Sequence, residues 1–298
     1  MAAVYDFDSD GDLDILGTTS TGLRDNSNFS WAENNGEGSF TVYDNLETAT
    51  GDFLQGVTIA NFQSDRLGIA LSYHDGLGGM QLLTVPPSGF ETISTWNWST
   101  PTLPSTLRVD EALSHGDIDQ DGDLDIVVGT SWLRNDNNDK WTAFEIFRPI
   151  DVDRVADRNV LKDMDGDGDL DVVIGFEDKN TGALAWYENP IDSETLWLEH
   201  PIANLAPSQA LSLDVGDIDD DGDMDIIAGE HQNPSVPGLR ALAFENQGAD
   251  IWITHEIYAG DEHHDGTQLV DLDKDGDFDV ISIGWEHRNL LIYENLER

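Results

Sequence analysis

Asp217-Ile218-Asp219-Asp220-Asp221-Gly222-Asp223-Met224-Asp225 places aspartate at every odd position, glycine at the sixth and an apolar side chain at the eighth. The same D-x-D-x-D-G-D-φ-D pattern, φ being apolar, is complete at residues 6–14, 117–125, 163–171 and 271–279. A worn copy, Asn61-Phe62-Gln63-Ser64-Asp65, falls where another is due, so the starts are spaced by 55, 56, 46, 54 and 54 residues. Self-similarity at a fixed period of this size marks a repeat architecture. Six units fill the chain, at residues 1–50, 51–105, 106–150, 151–204, 205–260 and 261–298, as one repeat domain over residues 1–298 with no room for a second.

Each unit has the same internal grammar. Before the aspartate run comes an alternating segment such as Ala210-Leu211-Ser212-Leu213-Asp214-Val215. After it comes an apolar, β-branched run closed by glycine, as in Ile126-Val127-Val128-Gly129, Val172-Val173-Ile174-Gly175 and Ile226-Ile227-Ala228-Gly229. A third segment ends in aromatic-Glu-Asn, as at Trp186-Tyr187-Glu188-Asn189 and Ala243-Phe244-Glu245-Asn246, and a fourth carries Trp141, Trp197 or Trp252. Short alternating or β-branched runs read as strands. Four strands per unit in six units predict an all-β chain, a β-propeller of six roughly four-stranded blades. The chain stops just after a third strand of the last unit, so that blade is expected to have three strands. Its unfilled place would let a first strand of blade one close a seam there, or a second molecule associate.

Sixty acidic residues against fourteen basic ones give a net charge of −46. Nucleic acid is excluded as a partner, because phosphate recognition needs clustered Lys and Arg. Anionic membrane surfaces are disfavoured for the same reason, and no apolar run approaches the ~18 residues of a membrane helix, so no membrane insertion is expected. With no cysteine, neither disulfides nor thiolate metal sites contribute. Met1-Ala2-Ala3-Val4 leads directly into a repeat without a signal-peptide pattern, which reads as a trimmed or mature chain.

The aspartate runs point to calcium. That ion takes six to eight hard oxygen ligands on a flexible loop, which alternating carboxylates supply. By analogy with other calcium loops, side-chain oxygens are expected from position 1 (Asp6, Asp117, Asp163, Asp217, Asp271), position 3 (Asp8, Asp119, Asp165, Asp219, Asp273) and position 5 (Asp10, Asp121, Asp167, Asp221, Asp275). Glycine at position 6 permits the turn. Position 7 (Asp12, Asp123, Asp169, Asp223, Asp277) offers its carbonyl, leaving its side chain to solubility, and position 9 (Asp14, Asp125, Asp171, Asp225, Asp279) closes the cage. The apolar position 8 is expected to anchor the loop to its blade. Magnesium demands tighter octahedral geometry, and zinc and copper lack their preferred His or Cys ligands in these loops. About five Ca²⁺ are expected, which lowers the net charge only to −36, so a saline or calcium-rich extracellular setting is indicated.

These units resemble the FG-GAP/VCBS repeats of integrin α-subunit propellers and of many bacterial and archaeal surface proteins. The likeness covers the whole chain and is weakest over residues 50–110. It implies that each aspartate loop joins the first and second strands of a blade and binds calcium. The second unit departs from the pattern, so no metal is expected at Asp65, where Arg66 would stand in for the cation. The resemblance also implies that the opposite face carries the loops after second strands and before first strands. Those loops hold Tyr73-His74-Asp75, Phe176-Glu177, Glu230-His231 and Trp285-Glu286-His287, together with Arg108, Arg154, Arg158 and His263-His264-Asp265. One reading is a calcium-stabilised extracellular or cell-surface module for binding or adhesion, its carbohydrate or protein ligand held by Tyr73, Arg154, Glu177, Glu230, Trp285 and Glu286. A second is an enzyme acting on uronate polysaccharides, a lyase or dehydratase, with His74, Arg158, His231, His263, His264 and His287 as catalytic candidates. A third is a self-assembling structural repeat. His200 and His255 recur with the repeat and read as blade packing.

Overall fold

The alternating and β-branched runs form strands, and among the described residues there are 23 strands and no helix. The computed structural model describes residues 2–19, 27–44, 49, 51–63, 66–74, 80–85, 97–99, 111, 113–136, 140–148, 154–178, 180–192, 194–231 and 238–296. The first blade is β1 (Ala3–Tyr5), β2 (Asp14–Thr19), β3 (Asn28–Asn34) and β4 (Phe40–Tyr43). The second is β5 (Leu54–Gln63), β6 (Arg66–Tyr73), β7 (Gln81–Thr84) and β8 (Asn97–Ser99). The third is β9 (Leu113–Gly116), β10 (Asp125–Val128), β11 (Ser131–Asn135) and β12 (Trp141–Glu145). The fourth is β13 (Val155–Lys162), β14 (Asp171–Glu177), β15 (Ala183–Glu188) and β16 (Leu198–Asn204). The fifth is β17 (Gln209–Gly216), β18 (Asp225–His231), β19 (Leu239–Asn246) and β20 (Trp252–Gly260). The sixth is β21 (Gly266–Val270), β22 (Asp279–Ile283) and β23 (Leu290–Tyr293). Each blade is an antiparallel meander with its strands in chain order, and the last has three, as the sequence leads one to expect. The chain is thus an all-β, six-bladed β-propeller. No helix is long and apolar enough to cross a membrane among these residues.

The blades fall into two compact units, Met1–Glu145 with the first three and Ile146–Arg298 with the last three. Within each unit the core lies between successive sheets. In the first, Leu16, Phe29 and Trp31 pack against Leu54, Ile69 and Leu71, while Phe62 and Leu82 pack against Ile126 and Leu133. In the second, Met164, Val173 and Trp186 meet Leu213, Val215, Ile226 and Phe244. Each fully buried side chain of this size contributes about 1.5–3 kcal/mol.

The glycine that closes the β-branched run has a packing reason. A Cβ at Gly175 would strike the Ala210 carbonyl of the next blade, and one at Gly229 would strike Ser212, His263 and Thr267. In the second blade the equivalent place is held by Ser72, whose hydroxyl donates to the Glu111 carbonyl ahead of the third blade. The first strands also share a β-bulge at one place, between Leu54 and Gly56, Ala156 and Arg158, and Ala210 and Ser212. Bulges re-aim side chains near the end of a strand. Here they turn Gln55, Asp157 and Arg158 inward, all nearly buried.

Candidate metal centres

All five aspartate loops join a first strand to a second, linking β1 to β2, β9 to β10, β13 to β14, β17 to β18 and β21 to β22. Their glycine at position 6 has φ between +96° and +105°, a conformation closed to side-chain-bearing residues at low cost. That turn folds the loop over its own first aspartate. In four loops the glycine N–H donates to the position-1 carboxylate, at 3.0–3.1 Å, and in all five the position-7 N–H donates to the position-5 carboxylate, at 2.9–3.3 Å.

The position-9 aspartate has a role the spacing alone does not reveal. One oxygen accepts from the N–H at position 2 (Phe7, Ile118, Met164, Ile218 or Leu272) at 2.9–3.1 Å. The other accepts from the N–H of the asparagine that ends the third strand (Asn34, Asn135, Asn189, Asn246 or Asn295) at 2.8–3.0 Å. In four blades that asparagine's own amide donates back to the position-8 carbonyl, from Asn34 to Leu13, Asn135 to Leu124, Asn189 to Leu170 and Asn246 to Met224. The aromatic-Glu-Asn signature is therefore the other half of the loop. It supplies the clasp that holds each aspartate cage against its blade.

The donor set fits calcium. Carboxylates of Asp6, Asp8 and Asp10 lie close enough together to share one ion, as do Asp117, Asp119 and Asp125, Asp163, Asp165 and Asp171, and Asp217, Asp219 and Asp225. Five loop oxygens, Oδ1 of Asp117, Asp119, Asp169, Asp271 and Asp277, are buried with no hydrogen-bond partner. Buried carboxylate oxygens without a donor call for a cation. Burial pushes Asp125 and Asp171 up to about 7, even though two backbone N–H groups stabilise each anion. Burial and then repulsion by Asp167, Asp165 and Asp163 push Asp169 up to about 6. Asp169 is thus an inward-facing member of its loop, against the expectation that position-7 side chains serve only solubility.

Two further expectations are modified. Position 8 is divided: Leu124 and Met224 are half-buried against the cores, whereas Phe278 lies beside Gly216 yet is exposed, and Leu13 is 59% exposed instead of anchoring the loop. In the second unit the strands run on until Gln63 pairs with Arg66, where the other units have the nine-residue loop. Asp65 lies outside the described residues, and Arg66 is exposed at the start of β6. The third strand here ends Leu82-Leu83-Thr84 with no asparagine, and both halves of the clasp are missing together.

The loop ends opposite these cages divide into separate groups. Tyr73 is fully buried in the core, its hydroxyl donating to Gln81, so it faces no ligand. His74 stacks on Phe53 and pairs with Asp52 at 3.0 Å. Arg158 is buried beside Asp157 at 3.0 Å. Arg154 stands over the Phe176 ring, at 4.2 Å, and grips Glu199 with both terminal nitrogens. It lines an outward cleft of about 480 Å³ with Phe147, Tyr187 and Trp197. Glu177 is exposed at the end of β14, and Arg108 and Asp75 lie outside the described residues. His200 stacks on Trp186 at 4.0 Å and bonds Glu188 and Asp250, consistent with packing.

The remaining residues converge between the fifth and sixth blades. His231 Nδ1 is 2.6 Å from Glu262 Oε1, and the His231 and His264 rings are 4.4 Å apart. Glu286 N–H donates to Glu262 Oε2, His287 Nε2 meets the Glu262 carbonyl at 2.7 Å, and Trp285 meets His264 edge to face. His263 is fully buried and bonds Ser282, while Glu230 is locked by Arg240 at 2.6 and 2.9 Å. Glu262, around which this group is built, is absent from the sequence-based candidates. Its only signal was its place before two consecutive histidines.

Residues 163–228 match the family model described as FG-GAP-like repeat, a stretch that holds two aspartate loops and the blade packing between them. Outside that stretch the loops at residues 6–14 and 117–125 have the same turn and clasp, and the loop at 271–279 shares the position-9 bonds to Leu272 and Asn295. No curated protein matches the chain. Among solved structures, a chain of the Photorhabdus luminescens Tc holotoxin pore is similar at 14% identity and a TM-score of 0.42, over 94% of this chain and 13% of that one. This chain therefore spans a small part of that protein's length, and the likeness is too slight to bear on function.

Proposed function

We propose that the chain is a calcium-stabilised β-propeller acting outside the cell or at its surface as a binding or adhesion module. The observation that carries this reading is the fivefold recurrence of one cage: four loops whose carboxylates converge within ligand distance, a fifth of the same sequence, and unpartnered oxygens inside three of them. Calcium, when bound, supplies the positive charge that lets those carboxylates remain ionised side by side. The chain's own contribution is the clasp, which fixes each cage before the ion arrives. Extracellular calcium modules work at affinities of about 10⁻⁴–10⁻³ M, matched to an environment rich in the ion.

The ligand, a carbohydrate or a protein, is assigned to the loop ends opposite the cages. Exposed Trp285 and the Arg154 cleft are its aromatic and cationic contacts. A calcium titration of chelator-treated protein tests the stabilisation. Melting temperature should climb with calcium and saturate, each site adding about 2.7 kcal/mol at a hundred times its Kd. A melting curve indifferent to calcium and chelator would sink the proposal.

A second reading, turnover of a uronate polysaccharide, is favoured by the convergence of His231, His264 and His287 around Glu262. Arg154 and Arg158 are held by Glu199 and Asp157, which leaves the carboxylate clamp of that reading to other groups. Absorbance of unsaturated uronate products, measured over a panel of acidic polysaccharides, decides between the two.

A further inference from the structure

We propose that His231, Glu262 and His264 form a sixth metal site, distinct from the calcium cages and suited to a transition-metal dication of the zinc class. One ligand atom from each residue can be chosen so that all three lie within 4.8 Å of one another. Two imidazoles and one carboxylate are a set that zinc takes, with the remaining position open to water or a ligand. Calcium and magnesium prefer oxygen alone, so the aspartate cages and this site sort different ions by donor chemistry.

The surroundings are those of a built site. Glu262 has a side chain only 4% exposed, and those of His231 and His264 are 16% and 14% exposed. The Glu286 N–H holds the carboxylate at Oε2, and the His287 imidazole meets the Glu262 backbone carbonyl. Gly284 makes room for it, since any side chain there would run into Glu262 and His287 Nε2. Neighbouring Glu230 is taken up by Arg240 and does not compete. His264 Nδ1 lies 3.0 Å from Asp265 Oδ1, and that carboxylate is placed to orient the ring as carboxylates do behind metal-bound histidines, leaving Nε2 to the ion. A dication in this cluster takes the place of the proton that now bridges His231 and Glu262. Exposed Trp285 stands beside His264, at the rim where a ligand of the metal would arrive.

The test is zinc binding to the full chain in excess calcium, which keeps the aspartate cages filled. Equilibrium dialysis with metal counting should find about one zinc per chain in the wild type. Glu262→Gln, His231→Ala and His264→Ala should each weaken binding at least about tenfold, and the double histidine variant should lose the ion. Cobalt added instead of zinc should give visible absorption bands in the wild type that the double variant lacks. Calcium content and melting temperature, measured on each variant, separate loss of the site from loss of the fold. His255→Ala, removing an exposed histidine paired with Glu245 elsewhere in the fifth blade, should bind zinc normally. The proposal is overturned if wild type takes up no zinc under calcium. It is equally overturned if the double variant, folded and calcium-loaded, keeps it, or if His255→Ala loses as much as His264→Ala.

Discussion

At the scale of single residues, the raised carboxylates of the loops set a pH dependence whose sign can be worked out. Burial lifts Asp125 and Asp171 to about 7 and Asp169 to about 6, against an ordinary value of 3.8. Between those limits the folded chain holds protons that the unfolded chain has released, so stability falls as pH rises through the window. Calcium-free protein should therefore melt higher at pH 5 than at pH 8. In saturating calcium the order should flatten or reverse, because protons then compete with the ion. Melting curves in metal-stripped buffers check this, and a calcium-free protein that gained stability toward pH 8 would contradict it. Individual loops are testable too. Asp167→Ala and Asp221→Ala should each cost one bound calcium, counted by mass spectrometry, and Asp65→Ala should cost none. The cages were legible in the sequence because their ligands are neighbours in it. Glu262 was not, because one carboxylate among sixty acidic residues stands out only when the fold sets it against His231, thirty-one residues away.

At the scale of the element, two signatures visible in the sequence acquire their physical meaning from long-range pairing. The asparagine ending each third strand was legible as a repeated letter, but its role depends on β-sheet register that brings it to position 9 of the loop. Removing its side chain should loosen the clasp, since the amide's bond to the position-8 carbonyl is lost while the backbone N–H to position 9 stays: Asn189→Ala or Asn246→Ala should destabilise the fold by about 1 kcal/mol and weaken calcium at that loop alone. The glycine closing a second strand was legible as a stop. At Gly175 and Gly229 it admits the next blade, the Ala210 carbonyl at the one and the His263 and Thr267 side chains at the other, an inter-blade fact no local pattern contains. Gly175→Ala and Gly229→Ala should each cost about 1–3 kcal/mol by overpacking, while Gly284→Ala should disturb Glu262 first. Urea denaturation reads these differences, and an alanine at Gly175 without effect would show that the blades have slack there. The second blade teaches the converse. Its lost aspartates, lost asparagine and strands that pair as far as Gln63 and Arg66 go together, since the asparagine's bonds serve only a loop that ends in the position-9 aspartate.

At the scale of the whole molecule, charge is the governing quantity. Among the described residues, many of the few cations are committed to specific anions: Arg134 to Asp136, Arg154 to Glu199, Arg158 to Asp157 and Arg240 to Glu230. They neutralise locally and leave the bulk of the −46 unbalanced. Five calcium ions, if all five cages fill as proposed, would answer only the part of that charge gathered in the cages, and net charge far from zero strains any compact state through self-repulsion. Two kinds of relief should therefore be separable. Calcium acts at the loops at fixed ionic strength, whereas simple salt acts everywhere by shortening the screening length from ~10 Å at 0.1 M to ~3 Å at 1 M. Raising sodium chloride over that range should lift the melting temperature of the calcium-free protein by several degrees, at roughly 2–4 °C per kcal/mol. In saturating calcium the gain should shrink without vanishing, because −36 remains to be screened. Choline chloride should reproduce the effect, since screening takes no account of the cation's size. If salt stabilises only the calcium-free protein, the surplus acidity is spread too thinly to strain the fold, and the loops alone account for its dependence on cations.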